Sequence, residues 1–308
     1  MTALTVVKPG MLTTIQDLGR LGYQGLGVPV SGPMDAYSHR LANQLVGNGA
    51  EAAALEVTLM GPELTADGDV TCAITGADIA VAIDGRPAPM NEPFTLRAGR
   101  SMKWGHRISG ARQTLAVRGG FDVPATLGSR ATHLTSRMGP FGGRALRPGD
   151  VLAVGPAPDT PRVVSGHALE IPLGGARLRL LPAVHRERFT DDAWGLLTHA
   201  RFTISTQSNR MGYRLDGPTL GHVGAADILS EAMPLGAIQV PASGQPILLL
   251  AERATTGGYA TIGCVITADI PLAGQLAPGD WIQFDEVTRD DAIAALRRRE
   301  AALRGVTR

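Results

Sequence analysis

The chain has 308 residues, of which 44% are hydrophobic but only 4% aromatic, and its formal net charge at pH 7 is +1. This length predicts two domains, or else one large β domain, with a core of aliphatic side chains. The balanced charge and the lack of a basic stripe argue against nucleic acid or a membrane surface as a partner.

The amino terminus, MTALTVVKPGMLTT, lacks the charged and then apolar pattern of a signal peptide. No apolar run approaches the ~20 residues that span a bilayer. Cys72 and Cys264 stand apart in apolar runs and are expected to be buried free thiols. These features together predict a cytoplasmic protein.

Short apolar runs alternate with 39 glycines and 21 prolines along the chain, which is typical of a mainly β protein. The candidate strands, in chain order, are LTVV, VTCAIT, IAVAID, TLAVRG, VLAVG, ALEIPL, RLRLLPA, RFTIST, AIQVP, PILLLAE, TIGCVIT and WIQF.

Three helices are expected between these strands. The first covers residues 34–48 with Ser31 as its candidate N-cap, and the second covers residues 186–200. The third covers residues 290–304, where Thr288 and Asp291 have the spacing of a capping box.

Two pairs of short segments recur in the same order in the two halves of the chain. LMGPEL at 59–64 resembles LDGPTL at 215–220, and LRPGDVL at 146–152 resembles LAPGDWI at 276–282. Recurrent turn chemistry is one explanation. The other is two similar β domains, residues 1–160 and 161–308, with the proline-rich stretch 154–166 as the linker.

The common catalytic signatures are missing from the sequence. It contains no GxxxxGK[ST] loop, no GxSxG elbow and no HExxH pair, and its seven histidines are scattered. No metal site is therefore expected.

What remains is a set of glycine-rich polar segments. Residues 13–35 carry Gln16, Asp17 and Asp35 in a loop long enough to indicate function, although Asp17 has the alternative of pairing with Arg20. Residues 116–150 carry Arg130 among glycines, which suits an anion site but is also what turns require.

Two further segments lie in the second half. In residues 205–218, Arg210 and Arg214 would project to one face of an extended strand and could clamp a carboxylate or phosphate, or simply lie on a solvated edge. Residues 252–266 begin ERATTGGY, which reads either as a hairpin turn or, with Gln239, Thr255, Thr256 and Tyr259, as the wall of a site for an amide-like ligand.

The segments TTIQDLGRLGYQGLGVPVSGPMD, GGFDVPATLGSRAT, GGRALRPGD, NRMGYRLDGP, GAIQVPASGQPI and TTGGY, in this order, resemble the allophanate hydrolase subunit 2 family, also called KipA or PxpC. The resemblance runs from about residue 4 to residue 285. It implies a mainly β fold of two cyclophilin-like β-barrels with a few short helices, working with a KipI or PxpB-like partner.

The resemblance also implies an activity. One family activity is ATP-dependent 5-oxoprolinase, a hydrolase in which PxpB-like and PxpC-like subunits act with a PxpA-like subunit to open 5-oxoproline to L-glutamate. The alternatives are the carboxyltransferase of a biotin-dependent urea or amide carboxylase, which uses carboxybiotin, and a KipA-like regulatory binding protein. The first is the main expectation, as a hetero-oligomer with ATP bound at the level of the complex.

Within that chemistry, each candidate residue has an expected role. Arg210, Arg214 and the backbone of Thr255, Thr256, Gly257 and Gly258 are candidates for stabilising negative charge on the substrate oxygen. Gln239 and Tyr259 would orient the amide, Gln16 and Arg130 would assist binding, and Asp17 or Asp35 would act as the base. Glu252, Ala254 and Ala260 stand where the family commonly has Asp, Gln and Pro, a departure that bears on the substrate more than on the fold.

Overall fold

The computed structural model describes residues 2–158 and 167–305, and this part of the chain is mainly β, as predicted. It divides into two compact units. Unit 1 comprises residues 1–20, 31–171 and 301–308, and unit 2 comprises residues 21–30 and 172–300. The units are therefore not contiguous halves of the chain, unlike the predicted ranges 1–160 and 161–308. Most of the predicted linker, 154–166, falls outside the described residues.

Unit 1 is built on a nine-stranded, curled sheet. Its strands are β1 (Ala3–Lys8), β2 (Leu12–Gln16), β3 (Ala54–Thr58), β4 (Glu63–Ala66), β5 (Val70–Ile83), β6 (Arg86–Pro87), β7 (Pro93–Leu96), β8 (Ser101–Val117) and β9 (Val151–Ala153). The order β2-β3-β8-β4-β1-β9 forms the main path, and β5, β6 and β7 extend from β8. Aliphatic side chains such as Leu4, Leu55, Leu64 and Leu115 are fully buried in its core.

The long strand β5 explains one difference from the sequence prediction. The two predicted strands VTCAIT and IAVAID form a single strand, paired with β8 from Cys72 to Ile83. The register shifts after Gly76, which has a φ of +92°. A bulge bends a strand without ending it, so the apolar pattern is interrupted while the pairing continues.

Two helices belong to unit 1, α1 (Ala36–Leu45) and α2 (Pro140–Gly143). The N-cap of α1 is Asp35, whose Oδ1 accepts a hydrogen bond of 2.8 Å from Ser38 N. The prediction of Ser31 as the cap is wrong. Ser31 instead has a φ of +60°, and its hydroxyl donates to Thr132 O.

Unit 2 contains a closed barrel in the order β10-β17-β14-β15-β12-β11-β18, with β10 and β18 as its parallel pair. A two-stranded sheet, β13-β16, lies outside the barrel. The strands are β10 (Gly175–Pro182), β11 (Arg201–Ile204), β12 (Gly212–Asp216), β13 (Asp227–Ala232), β14 (Ala237–Gln239), β15 (Ile247–Leu249), β16 (Thr256–Tyr259), β17 (Thr261–Val265) and β18 (Trp281–Glu286). Residues 168–173, expected as a strand, form none.

The remaining helices are α3 (Asp191–His199), α4 (Ile270–Gly274) and α5 (Arg289–Arg304). The capping box predicted at the start of α5 is confirmed. Thr288 Oγ1 donates to Asp291 Oδ2 at 2.6 Å, and Asp291 N donates back to Thr288 Oγ1 at 3.2 Å. Within residues 2–158 and 167–305, none of the helices combines the length and apolarity needed to cross a membrane.

Both cysteines are free thiols, as predicted. Cys72 is buried in β5, and burial raises the pKa of its thiol to about 12. Cys264, in β17, is only half-buried. The prediction of full burial is therefore confirmed for Cys72 and wrong for Cys264.

Two glycines of unit 2 give opposite predictions for replacement by alanine. At Gly217 an added Cβ would lie 2.5 Å from Cδ1 of the fully buried Phe202, whereas at Gly195, inside α3, it would meet nothing within 4 Å. We expect Gly217→Ala to lower the free energy of unfolding by about 1–3 kcal/mol through overpacking. Gly195→Ala should raise it by about 0.5–1 kcal/mol. Urea unfolding of both variants measures the difference, and effects of the same sign would contradict this packing.

Candidate functional site

Unit 2 has a cleft of about 230 Å³, which we call the strand cleft, lined by β12, β14, β15 and residues 253–256. Its polar lining consists of Gln207, Asn209, Arg214, Gln239, Arg253 and Thr256. Its other lining residues are Met211, Gly212, Met233, Ile247, Leu249 and Ala254. Three of the predicted site residues, Arg214, Gln239 and Thr256, therefore share one cleft.

A second opening, which we call the side cleft, has a volume of about 270 Å³. Met233, Arg253 and Ala254 line both clefts, so the two openings are neighbours. Gln24, Val30 and Thr255 also line the side cleft. The glycine-rich loop of residues 13–35 thus contributes to this region through its residues 24 and 30, rather than through the residues that the sequence singled out.

Within the segment TTGGY, Thr256 lines the strand cleft, and the conformation of the segment differs from the hairpin turn that the glycines suggested. Residues Thr256–Tyr259 form β16, which pairs with β13. A Cβ at Gly257 would lie 2.6 Å from Gln239 Nε2, so glycine is needed here for the glutamine amide to approach the strand. Gln239 Nε2 then donates to Tyr259 O at 3.1 Å. Tyr259 itself is exposed.

Arg210 has a different position from Arg214. Arg210 precedes β12, which begins at Gly212, so the prediction of both arginines on one face of one strand is wrong. Arg210 is buried and its Nε lies 2.7 Å from Oε1 of the equally buried Glu252. The backbone of Glu252 also donates from N to Arg210 O at 2.9 Å. This pair joins the segment before β12 to the segment after β15. Arg214 lies in β12 itself, and Arg253 directly follows Glu252.

The four remaining candidates lie in unit 1, where hydrogen bonds hold three of them in the backbone framework. Asp17 is buried, and its carboxylate accepts from Ser129 Oγ, Gly19 N and Arg130 N. The guanidinium of Arg130 donates from Nε to Val123 O. Gln16 Nε2 donates to Thr14 Oγ1 and Thr132 O.

The fourth candidate, Asp35, caps α1 and also accepts from Ser38 Oγ at 2.6 Å. Asp17 and Asp35, the two predicted bases, are thus both buried and bound to neighbouring hydroxyl and amide groups. Hydrogen bonds of this kind fix the orientation of a carboxylate.

Arg20 does not form an ion pair with Asp17, which was the alternative explanation for these two residues. Its guanidinium donates instead to the backbone carbonyls of Thr126 and Ala131. Burial lowers the pKa of Arg20, and the nearby charge of Asp17 opposes that effect. The loop that follows β2 is therefore attached to residues 126–131 by a buried side chain.

His39, on α1, is a buried polar residue that the sequence did not single out. Burial lowers the pKa of its imidazole from 6.5 to about 4, and the charges of Asp17 and Glu56 act in the opposite direction. Asn43 Nδ2 lies 3.2 Å from His39 Nε2. The sequence around this single histidine does not indicate that it is buried, because its burial depends on how α1 packs in unit 1.

Comparison with known proteins identifies the family. The sequence model described as "Carboxyltransferase domain, subdomain A and B" matches residues 26–286. The chain belongs to this carboxyltransferase domain family. Among curated members, the 5-oxoprolinase C subunit of Escherichia coli is 36% identical over 95% of this chain and 94% of its own length. The Haemophilus influenzae 5-oxoprolinase C subunit is 34% identical over 96% of this chain and 94% of its own length.

A solved structure from the same family has a very similar fold. The Kluyveromyces lactis urea amidolyase superposes with a TM-score of 0.93 and 31% identity over 98% of this chain. This chain spans 20% of the length of that protein. The relatives of this chain thus include the C subunits of two 5-oxoprolinases and a segment of a much longer urea amidolyase.

The Arg210–Glu252 pair predicts a coupled effect on stability. Glu252→Leu leaves the Arg210 charge buried without this partner. We expect it to lower the free energy of unfolding by about 3–5 kcal/mol. Adding Arg210→Met should recover part of that loss, since both charges are then absent. The free energies of unfolding of wild type, both single variants and the double variant measure the coupling. Additive effects would show that the ion pair does not hold the two segments together.

The buried His39 predicts a pH effect on stability. The unfolded chain takes up a proton at this residue below pH 6.5, and the folded chain does so only near pH 4. The contribution of the neutral His39 to the free energy of unfolding is therefore fully present above pH 6.5. It falls by up to about 3 kcal/mol as the pH drops toward 4. His39→Gln should reduce the slope between pH 6.5 and 4, as measured by chemical unfolding at each pH. Parallel curves for wild type and variant would contradict the buried, neutral imidazole.

Proposed function

We propose that the chain is the PxpC-like subunit of an ATP-dependent 5-oxoprolinase and helps to open 5-oxoproline to L-glutamate. The observation that carries this proposal is the near-complete, reciprocal match to two 5-oxoprolinase C subunits, at 36% and 34% identity. The polar lining of the strand cleft supports it further, because that lining suits a small amide.

The substrate chemistry explains why such a cleft is useful. A lactam carbonyl is stabilised by resonance, so its opening requires groups that favour negative charge on oxygen. In the strand cleft, Arg214 supplies a guanidinium, Gln239 a carboxamide and Thr256 a hydroxyl. We assign Arg214 to binding negative charge on the substrate and Gln239 and Thr256 to orienting the amide, with Gly257 leaving space for the Gln239 side chain.

The roles of the other candidates follow from their surroundings. Arg210 holds the strand cleft in place through Glu252 rather than contacting substrate. Asp17 and Asp35 stabilise unit 1 through their hydrogen bonds, and the base of the reaction comes from another group. Thr255 belongs to the side cleft next to Gln24 and Val30.

Activity at the level of the complex requires further subunits. We propose that the chain assembles with PxpA-like and PxpB-like partners into a hetero-oligomer that binds ATP. The ATP would activate the amide by supplying a phosphoryl group. The alternative function is a carboxyltransferase acting on urea or another amide with carboxybiotin, and the fold of urea amidolyase, with its TM-score of 0.93, favours it as the second candidate.

Reconstitution of the complex tests the proposal. The chain is purified together with its PxpA-like and PxpB-like partners, and glutamate and phosphate are measured after addition of 5-oxoproline with and without ATP. We expect release of glutamate that requires ATP and all three polypeptides. An assembled complex that forms no glutamate, but carboxylates urea when a biotin carboxylase and carboxybiotin are supplied, would favour the second function. Assembly without either activity would indicate a KipA-like binding role.

A further inference from the structure

Arg253 is a half-buried cation whose surroundings do not neutralise it. Its Nε donates to Met233 O at 2.9 Å, and its Nη1 lies 3.5 Å from Leu250 O. Both acceptors are neutral backbone carbonyls. Within the described ranges, the other N–H groups of this guanidinium have no acceptor, and no carboxylate forms an ion pair with it. Burial lowers the pKa of Arg253.

Arg214 adds a second guanidinium to the same cleft. The backbone N–H of Arg214 donates a hydrogen bond to Ser208 Oγ at 3.0 Å. The guanidinium is exposed and has no hydrogen-bond or ion-pair partner in the part of the chain that the structure describes. Two uncompensated arginines therefore line a cleft of about 230 Å³.

Acidic side chains do not offset this charge at the cleft. Among the described residues, neither the strand cleft nor the side cleft is lined by aspartate or glutamate. The adjacent Glu252 is bound to Arg210. Because a partly desolvated charge is costly without a counter-charge, this arrangement favours binding of an anion from outside the chain.

We propose that Arg253 and Arg214 bind the carboxylate group of a small substrate in the strand cleft. A guanidinium matches a carboxylate with two parallel hydrogen bonds. The amide and hydroxyl groups of Gln207, Asn209, Gln239 and Thr256 then face the uncharged part of the ligand. The cleft is smaller than the ~300–1,000 Å³ of typical ligand pockets, which suits a small molecule.

This inference rests on the proposed function and deepens it. A lactam amino acid such as 5-oxoproline carries a carboxylate, whereas urea carries none. Arg253 and Arg214 are accordingly the residues that would select 5-oxoproline over uncharged amides.

The test is a binding measurement on the full chain without ATP or partners. Calorimetric titrations compare 5-oxoproline, 2-pyrrolidinone, which has the same lactam ring without the carboxylate, and inorganic phosphate. We expect wild type to bind 5-oxoproline at least about tenfold more tightly than 2-pyrrolidinone, as expected for a charge-assisted hydrogen bond. Arg253→Gln and Arg214→Gln should each remove most of this preference.

A matched control and a second variant separate binding from folding. Arg201→Gln changes an arginine of β11 that stacks on Trp281 at 4.2 Å, and it should leave the preference unchanged. Arg253→Gln loses the bond to Met233 O, so its thermal unfolding is measured as well. Arg214→Gln removes no described side-chain bond and keeps the test valid if Arg253→Gln unfolds.

Several outcomes would overturn the inference. They are the absence of 5-oxoproline binding, equal binding of the two lactams, tighter binding of phosphate than of 5-oxoproline, or unchanged affinities in both arginine variants. Because the titration needs no turnover, an inactive complex would reject the proposed function without rejecting the carboxylate site. Conversely, an active complex whose KM for 5-oxoproline is unchanged by Arg253→Gln would reject the carboxylate site alone.

Discussion

The candidate site depends on one buried ion pair, between Arg210 and Glu252. Both side chains are 3% exposed, and the backbone of Glu252 is also bound to the backbone of Arg210. Arg210 leads into β12, and Glu252 leads into the segment that ends in β16. Since these two segments supply most of the strand cleft, the pair fixes the separation of its walls. The cost of removing two charges from water is offset only when the two groups lie in close contact. Moving either segment would break that contact, so the pair holds both segments in position.

The arginines of this region divide into two groups by their electrostatic surroundings. Arg210 has a buried carboxylate partner and contributes to the structure, whereas Arg214 and Arg253 line the cleft with no described carboxylate. A cation already neutralised within the fold has little to gain from a ligand, while an uncompensated one at a cleft gains a counter-charge on binding. This contrast assigns different functions to residues that look equivalent in the sequence NRMGYRLDGP.

Unit 1 uses its polar residues in another way. Asp17, Asp35 and Gln16 are buried and bonded to backbone or to hydroxyl groups, and His39 is held neutral by burial. Interactions of this kind fix the irregular loop after β2, whose glycines supply no side chains for packing. The two ends of the glycine-rich loop that belong to unit 1 are thereby held by a polar network.

The sequence by itself determined the mainly β class, the capping box of α5, the free thiols and the family, because these depend on local spacing or on motifs in a fixed order. It also selected Arg214, Gln239 and Thr256, since polar residues beside glycines in strand-like runs are unusual. Only the tertiary structure showed that Arg210 is neutralised by Glu252, that residues Thr256–Tyr259 form a strand and that Arg253 lines the cleft. Those facts depend on pairing between segments 24 to 42 residues apart. Neither burial nor a charge partner at such separations can be read from local sequence.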